Sequence, residues 1–392
     1  MKIVVYGGGP SGLYFALLAR KRLGADVTVY EQNPRDATYG FGIVLADRGM
    51  DRMKQADLES YEEIMRSCFI SRHRVVMHKG EEIFIEGGGY GAAIARLRLL
   101  QILQDCAERA GVIVNYGSRM EARDLPEADL IVGGDGVNSA LRNGFLEDFG
   151  ATTYSLTNKL AWYGTEAAFP YPVLSFKTTE LGHFWAVGYS YTEKMSTFVA
   201  ECDAETWERS GLSQMTEQES ARFTEKMFAK ELKGLSLICN KSMWHSLPVT
   251  RVRNWSVGNK VLIGDALHSA HPSIGSGTRI AMEDAIALVS SLESNADVAS
   301  ALAAFRKERE PAKQKLVSAA EKSFTWYEHV VSKLDLSPIA LVFDYMKRTG
   351  RVDEQRLNNE FPHFMDRYRQ EWRASLAASE DVTEQQSGSI VH

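Results

Sequence analysis

The chain has 392 residues, 44% of them hydrophobic and 24% charged, which is enough to bury a sizeable core and excludes a disordered chain or a small stapled scaffold. Forty-five Lys+Arg against fifty-one Asp+Glu leave a formal net charge of −6, so no overall attraction draws it to nucleic acid or to an anionic membrane. Cys68, Cys106, Cys202 and Cys239 stand far apart with no Cys-x-x-Cys pair, which argues against a metal centre and suits free thiols in a reducing compartment.

An apolar run already opens at residue 2 and no stretch approaches the ~18 unbroken apolar residues of a membrane helix, so a cytoplasmic chain is expected. Residues 2–6 (KIVVY) read as a strand that runs straight into Gly7-Gly8-Gly9-Pro10-Ser11-Gly12. Leu13, Ala16, Leu17 and Leu18 then mark a buried helix face, and residues 27–31 (VTVYE) a second strand. A second unit of this kind follows: a helix over 96–110, a strand over 112–116 and the apolar DLIVGGDG over 129–136. Both units belong in one parallel sheet.

Residues 74–86 and 161–201 are rich in aromatic and β-branched residues with partial alternation, which predicts a separate antiparallel or mixed sheet. The strand over 260–264 and the helix over 279–293 return the chain to the first sheet. From about 297 two helices are expected, broken by Pro311. Residues from about 376 carry little apolar content and read as a mobile tail.

Gly7-x-Gly9-x-x-Gly12 sits between a strand and a helix, where its glycines permit a tight turn, close approach to a diphosphate and close packing of helix on sheet. The helix N-terminus offers unpaired N–H groups. Glu31, 19 positions beyond Gly12, can accept hydrogen bonds from ribose hydroxyls and disfavours a 2′-phosphate. The bound nucleotide is then FAD or NAD. The similar run Gly87-Gly88-Gly89-Tyr90-Gly91 is rejected as a second fingerprint, because Glu81, Glu82 and Glu86 mark a half-exposed strand and VIVNY ends in no acid. One tightly held nucleotide is therefore expected, and no Gly-x-Ser-x-Gly elbow supports a hydrolase.

Asp135-Gly136-Val137-Asn138-Ser139-Ala140-Leu141-Arg142 and Gly264-Asp265-Ala266-Leu267-His268 each follow a strand end. With these two runs beside the glycine turn, the sequence resembles the single-component (group A) flavoprotein aromatic hydroxylases. The resemblance implies an α/β fold of the para-hydroxybenzoate hydroxylase type: a Rossmann-like FAD-binding domain, an inserted mixed or antiparallel substrate sheet, and C-terminal helices. It places the FAD-binding domain at 1–70, 96–150 and 255–320, the substrate domain at 71–95 and 151–254, a helical region at 321–373 and the tail at 374–392.

The resemblance further implies that Asp265 bonds the FAD ribityl chain, that Asp135 and Gly136 work near the diphosphate, and that Arg96 contacts FAD. Arg96 opens the family's Arg-x-x-Leu-x-x-x-Leu helix start with Leu99 and Leu103. Gly7, Gly9, Pro10, Ser11, Gly12, Glu31, Gln32, Gly42, Gly264, Gly275, Gly277 and Thr278 complete the expected cofactor set. For Asp135 and Asp265 a plain helix N-cap is the competing reading. The run from His268 through His271, Pro272, Gly275 and Gly277 to Arg279 is placed by the family against the flavin ring, with His271, Pro272 and Gly275 nearest the chemistry. His271 stands where a proline is frequent and Arg279 where an asparagine is frequent. His271 reads equally as a proton relay or as a structural histidine. A metal held by Asp265, His268 and His271 fits the spacing but is not needed.

Within the family, YGFGIVLAD (39–47), WYGTE (162–166), YSYTEKMSTFVAE (189–201) and GDALHSAHPSIGSGT (264–278) are similar to hydroxylases of rings tethered as coenzyme A thioesters. These are the salicylyl-CoA 5-hydroxylases and the monooxygenase part of anthraniloyl-CoA monooxygenase. Violacein-pathway hydroxylases of indole-type substrates share several tokens. The implied reaction uses NADH or NADPH and O₂, passes through a flavin C4a-hydroperoxide, and turns salicylyl-CoA into gentisyl-CoA in a monomer or homodimer. Trp162, Tyr163, Phe184, Trp185, Tyr189 and Phe198 are candidates for the ring pocket, with plain core packing the competing reading. A flavin oxidase or dehydrogenase without oxygen insertion is the alternative of another class. A halogenase lacks its Trp-x-Trp-x-Ile-Pro signature here.

Overall fold

A computed structural model of the chain describes residues 1–46, 50–87, 91–124, 126–268, 272–275 and 277–374. Its first layer is a six-stranded sheet gathered from distant parts of the chain. Lys2–Tyr6 lies at the centre, parallel to Asp26–Tyr30 on one side and to Leu130–Gly133 on the other. Ile113–Asn115 extends one edge, while Lys260–Leu262 and the antiparallel Ser256–Val257 extend the other. Ile3, Val5, Val29, Leu130 and Val132 are fully buried, which parallel strands covered on both faces require. The helix Pro10–Leu23 packs on this sheet and against the helix Gly277–Ser294.

The second layer is a seven-stranded mixed sheet formed by Arg74–His78, Glu81–Ile85 and the long strands Lys159–Thr165, Val173–Thr179, Gly182–Ser190 and Ser196–Cys202, with Leu237–Ile238 at one edge. Glu81–Ile85 is the opposite edge, antiparallel to Arg74–His78, and a strand, Gly91–Ala95, precedes the helix Arg96–Arg109. That arrangement is not a strand–turn–helix nucleotide unit. Gly91–Ala95 instead pairs with Gly42–Ala46 and Phe69–Ser71 in a small sheet between the two layers.

One expectation is corrected. Val298–Glu328 is a single 31-residue helix that continues through Pro311. Proline there removes one backbone hydrogen bond and crowds the preceding turn. Buried contacts hold the helix on both sides of it: Leu302, Phe305 and Arg309 before, Leu316, Ala319 and Ala320 after. Beyond it, Pro338–Lys347 and Glu354–Glu360 pack Ile339, Leu341, Val342 and Leu357 against the second sheet. The tail expected from 374–392 lies, from residue 375 on, outside the described residues, as does His271.

Candidate functional site

A cleft of about 500 Å³ opens at the carboxyl ends of the central parallel strands, where open α/β sheets place their ligands. Its floor is the turn Gly7–Ser11. Gly7 has φ +93°, and a Cβ there would lie 2.6 Å from the Gly134 carbonyl oxygen and the Asp135 Cα. At Gly12 a Cβ would lie 2.0 Å from the Gly7 carbonyl oxygen, so the helix can sit this close to its strand only without one. The helix starts at Gly9 with no side-chain cap and no acid in its first turn, which leaves its N–H groups aimed at the cleft unsatisfied by protein. That is an anion cradle by construction.

Glu31 closes the neighbouring wall. Its Oε2 accepts from the Gly8 N–H at 2.7 Å, and its Oε1 accepts from the Asn33 N–H at 2.8 Å and from Asn33 Nδ2 at 2.6 Å. The carboxylate is thereby fixed, with lone pairs left for a ribose, and Gln32 lines the cleft beside it.

Asp135 and Gly136 form the wall opposite. Asp135 Oδ2 accepts from the N–H groups of Ala140 at 2.6 Å and Leu141 at 3.2 Å, so the capping role that competed with a cofactor role is physically present. Its Oδ1 is buried with no protein partner. Burial pushes the carboxyl above the usual range, against the bonds it accepts from Ser139, Leu141 and Ala140.

Asp265, Arg96 and Thr278 line the far end. Among the described residues Asp265 caps no helix by its side chain; it is open to the cleft and enclosed by protein elsewhere, and that enclosure raises its pKa against the pull of His268 and Arg96. Arg96 is lowered by the same enclosure and raised by Asp265. Five glycines of the expected set, Gly12, Gly42, Gly264, Gly275 and Gly277, do not line the cleft. Gly42 donates its N–H to Thr197 Oγ1 at 2.8 Å and accepts from Tyr189 Oη at 2.8 Å, and a Cβ there would lie 2.2 Å from the Tyr191 ring. It pins the small sheet to the large one. Gly12 and Gly264 serve packing, a Cβ at Gly264 falling 2.9 Å from Ser11 Oγ. Pro272–Ile274 forms one turn of 3-10 helix and Gly275 has φ +57°, just ahead of the helix that Gly277 opens.

Alternation in the large sheet sorts the aromatic candidates. Tyr163, Phe184 and Phe198 point to the outer core with Leu212, Phe228 and Trp244. Trp162, Trp185 and Tyr189 share the inner face, in three registered rows: Gly164–Thr197–Tyr189, Trp162–Val199–Val187 and Leu160–Glu201–Trp185. The first row is covered by Phe41 and bound to Gly42, whose neighbour Ile43 lines the cleft. The third is covered by Tyr327, stacked on Trp185 at 6.3 Å. The middle row stays partly exposed between them, and Trp162 Nε1 has no partner.

Two groups escaped the sequence reading. Glu201 is 8% exposed, takes a hydrogen bond from Asn158 Nδ2 at 3.1 Å, and is pushed up to about 7, chiefly by burial. Its signal was an acid at a buried position of an alternating run. Asp284 binds His268 Nε2 at 2.9 Å, the Gly264 N–H at 3.1 Å and the Arg309 guanidinium, tying the turn that carries Asp265 to two helices. Burial raises its pKa, but the charges of His268 and Arg309 outweigh this and hold it below the ordinary carboxylate range. The Asp265–His268–His271 metal reading, set aside on sequence, includes His271, which lies outside the described residues; among the described residues the ligand-type grouping is exposed Glu59, half-buried Glu63 and buried Cys106. No described helix is long and apolar enough to cross a membrane.

These features fit FAD: an uncapped helix N-terminus behind a glycine turn, a fixed acid for ribose, and an unpartnered buried carboxylate oxygen along the cleft. Comparison with known proteins agrees. Residues 92–320 match the FAD binding domain family and residues 5–59 the NAD(P)-binding Rossmann-like domain. The chain is 35% identical over 367 residues to a salicyloyl-CoA 5-hydroxylase of Streptomyces sp, covering 89% of this chain and 70% of that one. It is 32% identical to a 3-hydroxy-4-methyl-anthranilyl-[aryl-carrier protein] 5-monooxygenase of Streptosporangium sibiricum, covering 92% of this chain and 97% of that one. In fold it is similar to 2-methyl-3-hydroxypyridine-5-carboxylic acid oxygenase, with a TM-score of 0.68 at 17% identity over 91% of this chain and 95% of that one. The chain thus belongs to the FAD-dependent aromatic monooxygenases of the para-hydroxybenzoate hydroxylase fold, enzymes that use NAD(P)H and O₂.

Proposed function

We propose that the chain hydroxylates an aromatic acid carried as a coenzyme A thioester, salicylyl-CoA giving gentisyl-CoA. The observation that supports this reading is the half-open, apolar Trp162–Val199–Val187 row, next to the row bound to Gly42, in a chain with one relative named for a coenzyme A substrate and another for a carrier-protein one. Bound FAD, reduced by NAD(P)H, supplies the activation of O₂ and delivers one oxygen atom to the ring.

The chain's own residues do the rest. The Gly7–Gly12 turn with Pro10 and Ser11 receives the diphosphate on the helix N-terminus, and Glu31 with Gln32 holds the adenosine ribose. Asp135 and Gly136 flank the diphosphate; Arg96, Asp265 and Thr278 hold the far end of the cofactor. Pro272, Gly275 and Gly277 shape the backbone beside the reacting ring, where the N-terminus of Gly277–Ser294 favours negative charge. His271, three positions after His268 in sequence, is assigned the role of proton relay. Trp162 offers its indole N–H to a polar ring substituent, and the apolar row keeps water from the reacting carbon.

The test is the rate of flavin reduction by NADH without oxygen, with no ligand, salicylate or salicylyl-CoA present. Acceleration by the thioester alone, with gentisyl-CoA and one labelled oxygen from ¹⁸O₂ on turnover, supports the assignment. Equal rates in all three would overturn it and direct the search to indole-type substrates. Reduction by the substrate without NADH would identify an oxidase.

A further inference from the structure

The chain carries a net charge of −6, yet one surface beside the Pro272–Gly275 loop gathers Arg279, Lys315, Lys322, Arg348, Arg351 and Arg356. Some cations of the chain are paired with acids, as Arg309 is with Asp284 and Glu283, and Arg109 with Glu59 and Glu63. Here Lys315, Lys322, Arg348 and Arg351 make no salt bridge among the described residues; their polar contacts are to neutral groups.

The geometry of the turn brings these cations together. Gly350 has φ +66° and a Cβ there would lie 2.7 Å from Lys322 Nζ, so the ammonium rests against the turn itself. Arg351 donates to the Lys315 carbonyl oxygen at 3.0 Å, and Arg356 donates to the Arg351 carbonyl oxygen at 3.2 Å. Burial and the like charges of Arg279 and Arg356 hold the Arg351 guanidinium below its ordinary pKa. Arg279, where the family frequently has asparagine, shares Glu283 with Arg309 and leaves its Nε buried with no partner. Arg279 and Arg356 are offset by Glu283 and Glu360, whereas Lys315, Lys322, Arg348 and Arg351 have no acid partner among the described residues; like charges so held repel each other, and an incoming anion relieves that repulsion.

The cluster also has a fixed relation to the ring wall. Arg348 donates to the Ser273 carbonyl oxygen at 2.7 Å and to Ser323 Oγ at 3.2 Å, stacks on Tyr345 at 3.9 Å, and lies 6.0 Å from the Tyr327 ring. Tyr327 in turn stacks on Trp185, at the end of the inner-face rows. Trp185, Tyr327 and Arg348 are packed one on the next, from the covered row that adjoins the half-open one out to the turn that carries Arg351.

We propose that Lys322, Arg348 and Arg351, with Arg279 behind them, bind the phosphates of the substrate's coenzyme A tail. This rests on the thioester reading and names the residues that would read the handle rather than the ring. Guanidinium groups suit the purpose because they bond phosphate oxygens bidentately and stay charged at any working pH.

The experiment compares wild type with Lys322→Glu, Arg351→Glu and the double variant, each checked for full FAD content. The first readout is binding of adenosine 3′,5′-bisphosphate, which carries the phosphates without any ring. The second is kcat/KM for salicylyl-CoA against the salicyl N-acetylcysteamine thioester, which has no phosphates, and the third is KM for NADH and NADPH. The expected result is at least tenfold weaker bisphosphate binding in the double variant. The advantage of the coenzyme A thioester over the short thioester should shrink by a similar factor and depend less on salt. Unchanged bisphosphate binding would overturn the proposal, as would a rise confined to KM for NADPH, which would assign the cluster to the pyridine nucleotide. A wild type that binds the bisphosphate but does not hydroxylate salicylyl-CoA would reject the substrate reading while leaving the phosphate site standing.

Discussion

Glu201 lends itself to a quantitative prediction. Burial raises its carboxyl from an ordinary 4.5 to about 7, while Trp185 and Asn158 lower it and the Glu328 charge adds to the rise. Between those two pH values the folded chain keeps a proton that the unfolded chain has lost, so stability falls as pH climbs through the window. A rise of this size corresponds to roughly 3 kcal/mol, fully expressed above pH ~7. Glu201→Gln keeps an oxygen for Asn158 Nδ2 and adds an N–H₂ that can reach the otherwise unpartnered Asn158 Oδ1. The variant should therefore match wild type near pH 5 and exceed it by a few degrees of melting temperature at pH 8, followed by circular dichroism and flavin fluorescence. Parallel stability profiles for the two proteins from pH 5 to 8 would refute the reasoning.

Gly12→Ala places a methyl group 2.0 Å from the Gly7 carbonyl oxygen, and should lose FAD on purification along with at least the ~1–3 kcal/mol of an overpacked core, read by flavin absorbance and melting. Asp265→Ala should weaken FAD retention, and stoichiometric flavin after gel filtration would remove Asp265 from the site. Trp162→Phe, which deletes the buried, unpartnered indole N–H of the middle row, should raise KM for the aromatic substrate and divert reducing equivalents to H₂O₂; Phe184→Leu on the outer face should change melting temperature without changing that coupling. Burial pushes the thiols of Cys68 and Cys106 up to about 12 and about 11 and also raises Cys202 and Cys239, so Ellman's reagent at pH 8 should titrate less than one thiol per folded chain and all of them in denaturant.

The nucleotide turn was legible because its constraints are local: a strand, three glycines and a helix are contiguous, and the atoms a Cβ would strike at Gly12 belong to the same turn. Glu31 was legible for the same reason, one strand farther on. The aromatic candidates could be named but not sorted, since alternation divides them only after the register of three strands is known. Gly42 looked like a cofactor glycine, whereas the Tyr191 ring that forbids a side chain there comes from 149 positions away in sequence (191 − 42). Pro311 misled because local propensity predicts a break that buried contacts at Phe305, Arg309 and Leu316 override. The Arg348–Arg351 cluster was invisible, because its members come from separate helices and meet only at one turn.

The order of the parallel sheet bears on how the chain is made. Its centre, Lys2–Tyr6, is made early, but its neighbour Lys260–Leu262 on the far side of Leu130–Gly133 and the covering helix Gly277–Ser294 follow only after about 250 further residues. Until then Leu13, Leu17 and Leu18 of the first helix lack the apolar surface that finally covers them. Nascent chains shorter than about that length thus expose a sticky helix and an incomplete cradle, which makes them clients for chaperones. Cofactor capture in this way waits for the strand Lys260–Leu262 and the helix Gly277–Ser294, and flavin supply then acts as a ligand that favours the native state.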